Sequence, residues 1–331
     1  MARRRYDESD VRVRPGKGSR PRTKNRPAHR DALFGMVVTK DRGRWGVILD
    51  GARQPVVCMR ARELGRTPIE VGDRVGVVGD TSGALGSLAR IVRLAERSSV
   101  LRRTADDTDP YERIVVANAE LLLIVCAVAD PPPRAGFVER SLIAAFVGGL
   151  RPVLCLTKTD LADHRAFAAE FADLQVPVLT CGIDDPLDDL LAALGGRTSA
   201  VIGHSGVGKS TLVNRLVPRA ARATGAVSEV GKGRHTSTQS VALRLPGHDG
   251  GWIIDTPGIR SFGLAHVEPD AVVGVFDDLA RVAQDCPRGC THLGPPSDPE
   301  CALDGLDGAS ARRARAVRSL LAALRTNVDW D

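Results

Sequence analysis

The residues with the clearest chemistry are Gly203 to Ser210, GHSGVGKS, which fit the spacing G-x-x-x-x-G-K-[ST] between an apolar run, TSAVIG, and a helical pattern, TLVNRLV. Gly206 and Gly208 let backbone N–H groups turn inward around phosphate oxygens at the start of a helix. In such a loop His204, Ser205 and Val207 present their amides, Lys209 bridges the β- and γ-phosphates, Ser210 gives its hydroxyl to Mg²⁺, and Thr211 follows on the first turn. This is a site for a nucleoside triphosphate, and by itself it does not choose the base.

Thr157 to Asp160, TKTD, chooses. These residues end an apolar run and resemble the N/T-K-x-D base motif of GTPases, in which the aspartate accepts hydrogen bonds from N1–H and the 2-amino group of guanine. Adenine offers neither donor, so Asp160 would be desolvated and unpaired against it. The stem of Lys158 covers one face of the base, and Thr157 and Thr159 complete the motif. Asp255 to Gly258, DTPG, follows GGWII and resembles the D-x-x-G motif of the same superfamily. Asp255 would hold Mg²⁺ through water and the Gly258 N–H would meet the γ-phosphate. Between the P-loop and DTPG lies GKGRHTST, a polar stretch suited to a switch. Thr236 is the first candidate for the Mg²⁺-contacting threonine and Thr238 the second. Ile259 to Phe262 follow DTPG and offer no water-orienting Gln, so hydrolysis is expected to be slow unaided. His235 is the candidate for reaching the attacking water, against the plainer role of a contact to a partner.

These side chains need strand ends to hold them. AELLLIVCAVAD, RPVLCLTKTD, TSAVIGH and GGWIIDTPGI read as buried parallel strands alternating with helices, a doubly wound α/β domain over residues 97–264. The base motif precedes the P-loop, whereas an ordinary G domain has it last, so the G domain is expected to be circularly permuted. Residues 31–96 hold five short β segments, LFGMVV, RWGVILD, QPVVCMR, DRVGVVGD and SLARIVRL, and predict a small barrel; OB-like is the first reading and SH3-like the alternative. In residues 265–331, Cys286, Cys290, His292 and Cys301 have the chemistry of a structural Zn²⁺ site in a loop rich in Pro and Gly, followed by a helix that is basic on one side and rich in Leu and Ala on the other. The other four cysteines, Cys58, Cys126, Cys155 and Cys181, sit singly in apolar runs and read as core residues.

The 331 residues carry a formal charge of +6, unevenly placed. Residues 1–30 hold eleven Lys or Arg and three Asp or Glu, a net +8 that leaves −2 for the rest. This tail has too few apolar residues to fold alone and is either a solubilising arm or one that neutralises nucleic-acid phosphates. No apolar run is long enough for a membrane helix and the first residues lack a secretory signal, so a cytoplasmic protein with no membrane partner is expected, with a monomer as the default.

A barrel, then TKTD, GHSGVGKS, GRHTST, DTPG and the Cys/His cluster in that order resemble the bacterial ribosome small-subunit-dependent GTPase A family over residues 33 to about 325, with RSSVLRR and IVVANAELLLIV matching its lead-in to the G domain. Thr157 stands where that family usually has Asn. The resemblance implies an OB domain, a permuted G domain and a zinc domain. It also implies binding of GTP and GDP, docking on the 30S subunit and its 16S rRNA late in assembly, and ribosome-stimulated hydrolysis. The alternative class is a regulatory GTP switch that acts on a protein partner without RNA; a passive zinc and RNA-binding module would leave the filled phosphate positions unexplained. An aromatic content of 4% gives few stacking platforms, which favours folded RNA over single strands.

Overall fold

A computed structural model of the chain describes residues 29–104, 111–218, 239–247, 250–258 and 263–325. The first five strands, β1 (Leu33–Asp41), β2 (Arg44–Leu49), β3 (Pro55–Arg60), β4 (Arg74–Gly79) and β5 (Ala89–Leu94), form a closed barrel in the order β1-β2-β3-β5-β4 with β1 paired back to β4. The β3–β5 pair is parallel and the others are antiparallel. Alternate residues fill the barrel, among them Val37, Val47, Val56, Cys58, Val75, Val77 and Ile91. Five of the expected β segments thus fall on five strands, and closure removes the edges that such short strands would otherwise expose.

The second layer begins with a two-stranded ribbon, β6 (Val100–Arg103) with β7 (Arg113–Ala117). The sequence reads IVVANAELLLIV as one lead-in, but Asn118 breaks it. Its backbone is left-handed, φ 54°, a conformation Asn tolerates, and its side chain accepts from Ser98 N–H and donates to Gly72 O. Beyond the break come β8 (Leu121–Ala127), α1 (Ala135–Val147), β9 (Arg151–Thr157), α2 (Arg165–Ala169), β10 (Val178–Cys181), α3 (Asp188–Leu194), β11 (Thr198–Gly203), α4 (Lys209–Leu216), β12 (Val241–Arg244) and β13 (Trp252–Asp255).

The sheet order is β10-β9-β8-β11-β13-β12, parallel except for β12, and β12 continues through β1 into the barrel. Alternation along β8 shows why the sheet is covered on both faces. Leu121, Leu123 and Val125 join the cluster that holds Leu212, Val213 and Leu216 of α4 and Leu190 and Leu194 of α3. Leu122, Ile124 and Cys126 pack in the cluster of Val138, Leu142 and Ile143 of α1. Burial pushes the Cys58 and Cys155 thiols up to about 12, so both stay protonated and inert inside the core.

The chain then runs through α5 (Pro269–Val273), α6 (Asp277–Ala283) and α7 (Gly308–Arg325). Ala314, Val317, Leu320 and Leu321 of α7 share the α1 cluster, and buried Arg140 of α1 donates to Ala323 O at 2.6 Å. The basic face of α7 is partly occupied within the protein: Arg312 pairs with Asp173, Arg313 with Asp278 and Arg318 with Asp304. Arg315 and Arg325 are exposed.

The turn before β4 joins barrel to sheet. Asp73 is fully buried and receives Arg97 in a two-point pair at 2.7 and 2.8 Å, while Ala117 N–H donates to Val71 O. Gly72 lies between them at φ +93°, and a Cβ there would sit 1.9 Å from Ala117 O. Both the left-handed backbone and the backbone oxygen exclude a side chain. Gly72→Ala is therefore expected to cost about 2–4 kcal/mol, read as a lower Tm in thermal unfolding.

Candidate nucleotide and metal sites

The strands that carry the three motifs lie close together in the sheet and end on one edge. Val125 of β8 pairs with Gly203 of β11, Ala127 of β8 with Thr157 of β9, and Val201 of β11 with Asp255 of β13. TKTD, the P-loop and DTPG therefore leave the carboxyl edge of one parallel sheet, where open α/β folds bind ligands.

The P-loop turns on Gly206 and Gly208, at φ +83° and +86°, values a side chain would strain, and Gly208 caps α4. Val207 is buried, whereas Ser205, Gly206, Ser210 and Thr211 face solvent and leave the phosphate side open. Lys209 is buried. Its Nζ donates to Asp255 Oδ1 and to Thr256 O, each at 2.5 Å, which brings the first residue of DTPG against the last turn of the P-loop. Thr256 is anchored in turn by donating to Val201 O at 2.7 Å, and Gly258 is exposed, with open space among the described residues where a Cβ would stand.

The Thr157 hydroxyl lies 2.6 Å from Val207 O and 3.3 Å from Cys126 O, and its single proton is best placed to donate to the nearer. A threonine thus latches the base motif to the P-loop with one short bond. Lys158 adopts a left-handed backbone, φ 58°, and its ammonium donates to Asp130 O. Thr159 is half-buried and Asp160 exposed, with Asp160 Oδ1 accepting from Ile183 N–H at 3.3 Å. Thr157, Lys158, Asp160, Gly208 and Leu212 line a cavity of about 290 Å³ beside the start of α4.

Two contacts here had no signal in the sequence. His204 Nδ1 faces Ser205 O at 3.1 Å and Nε2 faces Arg134 Nη1 at 3.0 Å, so the ring carries its proton on Nδ1 and accepts from the guanidinium; Phe137 meets it edge-on. The last residue of β10, Cys181, and the loop after it, Gly182 and Ile183, close the far wall of the cavity. His235, Thr236 and Thr238, together with Ile259 to Phe262, lie outside the described residues.

At the other end of the chain, Cys286, Cys290, His292 and Cys301 bring four donor atoms within 4.8 Å of one another, so the group could hold a metal ion. His292 Nδ1 lies 3.5 Å from Cys286 Sγ and 3.7 Å from Cys290 Sγ. A tetrahedral zinc ion needs S···N separations of about 3.5–3.6 Å, and the cluster fits it. Nε2 of His292 is 2.8 Å from Asp270 Oδ1 on α5, which fixes the tautomer that leaves Nδ1 free to ligate. Donors also face the sulfurs: Ala302 N–H to Cys286, His292 N–H to Cys290 and Arg318 Nη2 to Cys301. Asp270, Ala302 and Arg318 were invisible in the sequence because they act from outside the Cys/His run.

Comparison with known proteins decides the family. The profile of the RsgA GTPase family matches residues 94–265. A relative from Pseudomonas fluorescens, named small ribosomal subunit biogenesis GTPase RsgA, is 38% identical over 252 residues, 72% of this chain and 71% of its own length. The chain belongs to the RsgA GTPase family. A second RsgA, from Gemmatimonas aurantiaca, is 35% identical over 280 residues, 81% of this chain and 89% of that one. RsgA-like architecture extends to solved structures: YjeQ from Thermotoga maritima has a TM-score of 0.60 at 23% identity, covering 88% of this chain and 98% of that one. YloQ, described as a circularly permuted GTPase, has a TM-score of 0.60 at 19% identity, covering 90% and 97%. The permuted order expected from the motifs is the order of this fold. Among the described residues no helix is long and apolar enough to cross a membrane.

Proposed function

We propose that the chain is a cytoplasmic GTPase that docks, as a monomer, on the 30S subunit and its 16S rRNA late in assembly and leaves after hydrolysing GTP to GDP and phosphate. The observation that carries this reading is the meeting of TKTD, the P-loop and DTPG at one sheet edge, with Lys209 held by Asp255 and Thr157 latched to Val207, in a chain whose relatives are named for small-subunit biogenesis. Gly203 to Thr211 cradle the phosphates, and Thr157 to Asp160 hold the guanine. Mg²⁺, which offsets charge on the β- and γ-phosphates, would be held by Ser210, Asp255 and Thr236, with Gly258 and His235 serving the γ-phosphate and the attacking water. The modules run over residues 31–96 for the barrel, 97–264 for the permuted G domain and 265–331 for the zinc-binding region, after a basic tail at 1–30.

GTP turnover with and without purified 30S subunits tests this, with ATP as the control. Large stimulation confined to GTP is the expected result. Binding of GTP with no response to 30S would instead favour a switch acting on a protein partner.

The metal at Cys286, Cys290, His292 and Cys301 is Zn²⁺ in this reading, a closed structural ion that replaces the core this loop lacks. Asp270 holds His292 but is itself 84% exposed, so its replacement sits at the low end of such effects. Asp270→Ala is expected to speed zinc loss to a colorimetric chelator by about tenfold, and full chelation to lower the Tm.

A further inference from the structure

The loop after β10 carries no motif in the sequence, yet it forms the wall of the base cavity that faces Asp160. Ile183 at its tip is 57% exposed and belongs to none of the hydrophobic clusters among the described residues. The loop is held from the opposite side by one side chain of the P-loop helix. Arg215, in the last turn of α4, donates from Nη1 to Gly182 O at 3.0 Å, with Cys181 Sγ 3.4 Å from the same nitrogen, and from Nη2 to Asp185 O. Inside the loop, Gly182 N–H donates to Asp185 Oδ2 at 2.6 Å. The loop then reaches the base motif, where Ile183 N–H donates to Asp160 Oδ1.

We propose that Arg215 is a positioning residue for guanine discrimination: its guanidinium fixes the Cys181–Asp185 loop to the P-loop helix and, through Ile183 N–H, sets the direction of the Asp160 carboxylate. The proposal rests on the reading of Asp160 as the guanine-recognition residue. A planar fork suits two carbonyls of one tight loop, which a lysine ammonium on its flexible stem cannot hold together. A basic residue near a helix C-terminus also interacts with the helix dipole, but that role affects stability and not base choice. Hydrogen bonds weaken steeply as their angle closes, so a carboxylate that has lost its aim discriminates poorly even while the P-loop still grips the phosphates.

The test is steady-state hydrolysis of GTP and of ITP by the full chain, as wild type, Arg215→Ala and Arg215→Lys. ITP lacks the 2-amino group and so removes one of the two donors that Asp160 reads. Wild type is expected to prefer GTP. Arg215→Ala is expected to raise KM for GTP by about tenfold, to hold kcat within about twofold, and to collapse the GTP-to-ITP ratio of kcat/KM toward one. Arg215→Lys, which keeps the charge and the helix, should fall between them and provides the same readout should the alanine variant not fold. An unchanged GTP-to-ITP ratio in whichever variant folds overturns the assignment of Arg215, whatever happens to Tm. A wild-type protein that does not distinguish GTP from ITP or ATP overturns the base-site reading, and the role of Arg215 with it.

Discussion

Lys209→Ala is expected to lower kcat/KM for GTP by about 10³-fold, a loss of about 4 kcal/mol, whether or not 30S subunits are present. The side chain is buried and its two short bonds, to Asp255 Oδ1 and Thr256 O, hold the ammonium at the mouth of the P-loop without a nucleotide. A charge already desolvated has little hydration left to lose when phosphates arrive, which makes its contribution large. Alanine removes that charge and leaves the half-buried Asp255 carboxylate near the phosphates without its ammonium partner. The defect should therefore appear in nucleotide affinity for GDP as well as GTP, measured by fluorescent-nucleotide titration, and not only in turnover. A variant that binds GDP at wild-type strength would show that Lys209 acts only on the γ-phosphate. The salt dependence of binding should also fall, because one ionic contact to phosphate has gone.

What was legible in the sequence is chemistry set by short, fixed spacing. Gly206, Gly208 and Lys209 fall within four positions and Cys286, Cys290 and His292 within seven, so a linear pattern reveals each group before any tertiary contact is known. The strands were legible for the same reason: β8 buries every residue because helices cover both faces, and a continuous apolar run results. Contacts between distant segments left no such mark. Arg215 reaches Gly182 across 33 residues and Arg134 reaches His204 across 70, and neither arginine stands in a pattern that announces a partner. The α7 arginines illustrate the opposite error. Read as a row they suggest a free basic face, whereas Arg312, Arg313 and Arg318 are matched one by one to Asp173, Asp278 and Asp304 from other elements. Charge along a helix is visible in sequence; its neutralisation depends on tertiary contacts. The unpaired basic residues on α7 are thus fewer than its composition suggests.

Asp160→Asn is expected to exchange guanine for xanthine. Guanine turns two donors, N1–H and the 2-amino group, toward this position, and a carboxylate accepts both. An asparagine offers one acceptor and one donor, so its amide nitrogen would oppose one of guanine's N–H groups and lose a charge-assisted bond besides. Xanthine keeps N1–H but places a carbonyl at carbon 2, which the asparagine amide can meet as a donor. Affinity for GTP should fall by about 10²–10³-fold and that for XTP should rise by a similar factor, in line with the cost of leaving a buried polar group unpaired. The loop contact need not be lost, because the side-chain oxygen of an asparagine can still accept from Ile183 N–H as Asp160 Oδ1 does. Phosphate chemistry is untouched, so kcat with XTP in the variant should approach kcat with GTP in the wild type, and 30S subunits should stimulate the XTP reaction. That result would separate base recognition from the phosphate machinery. A variant that loses GTP without gaining XTP would mean that Asp160 does not read the base edge directly.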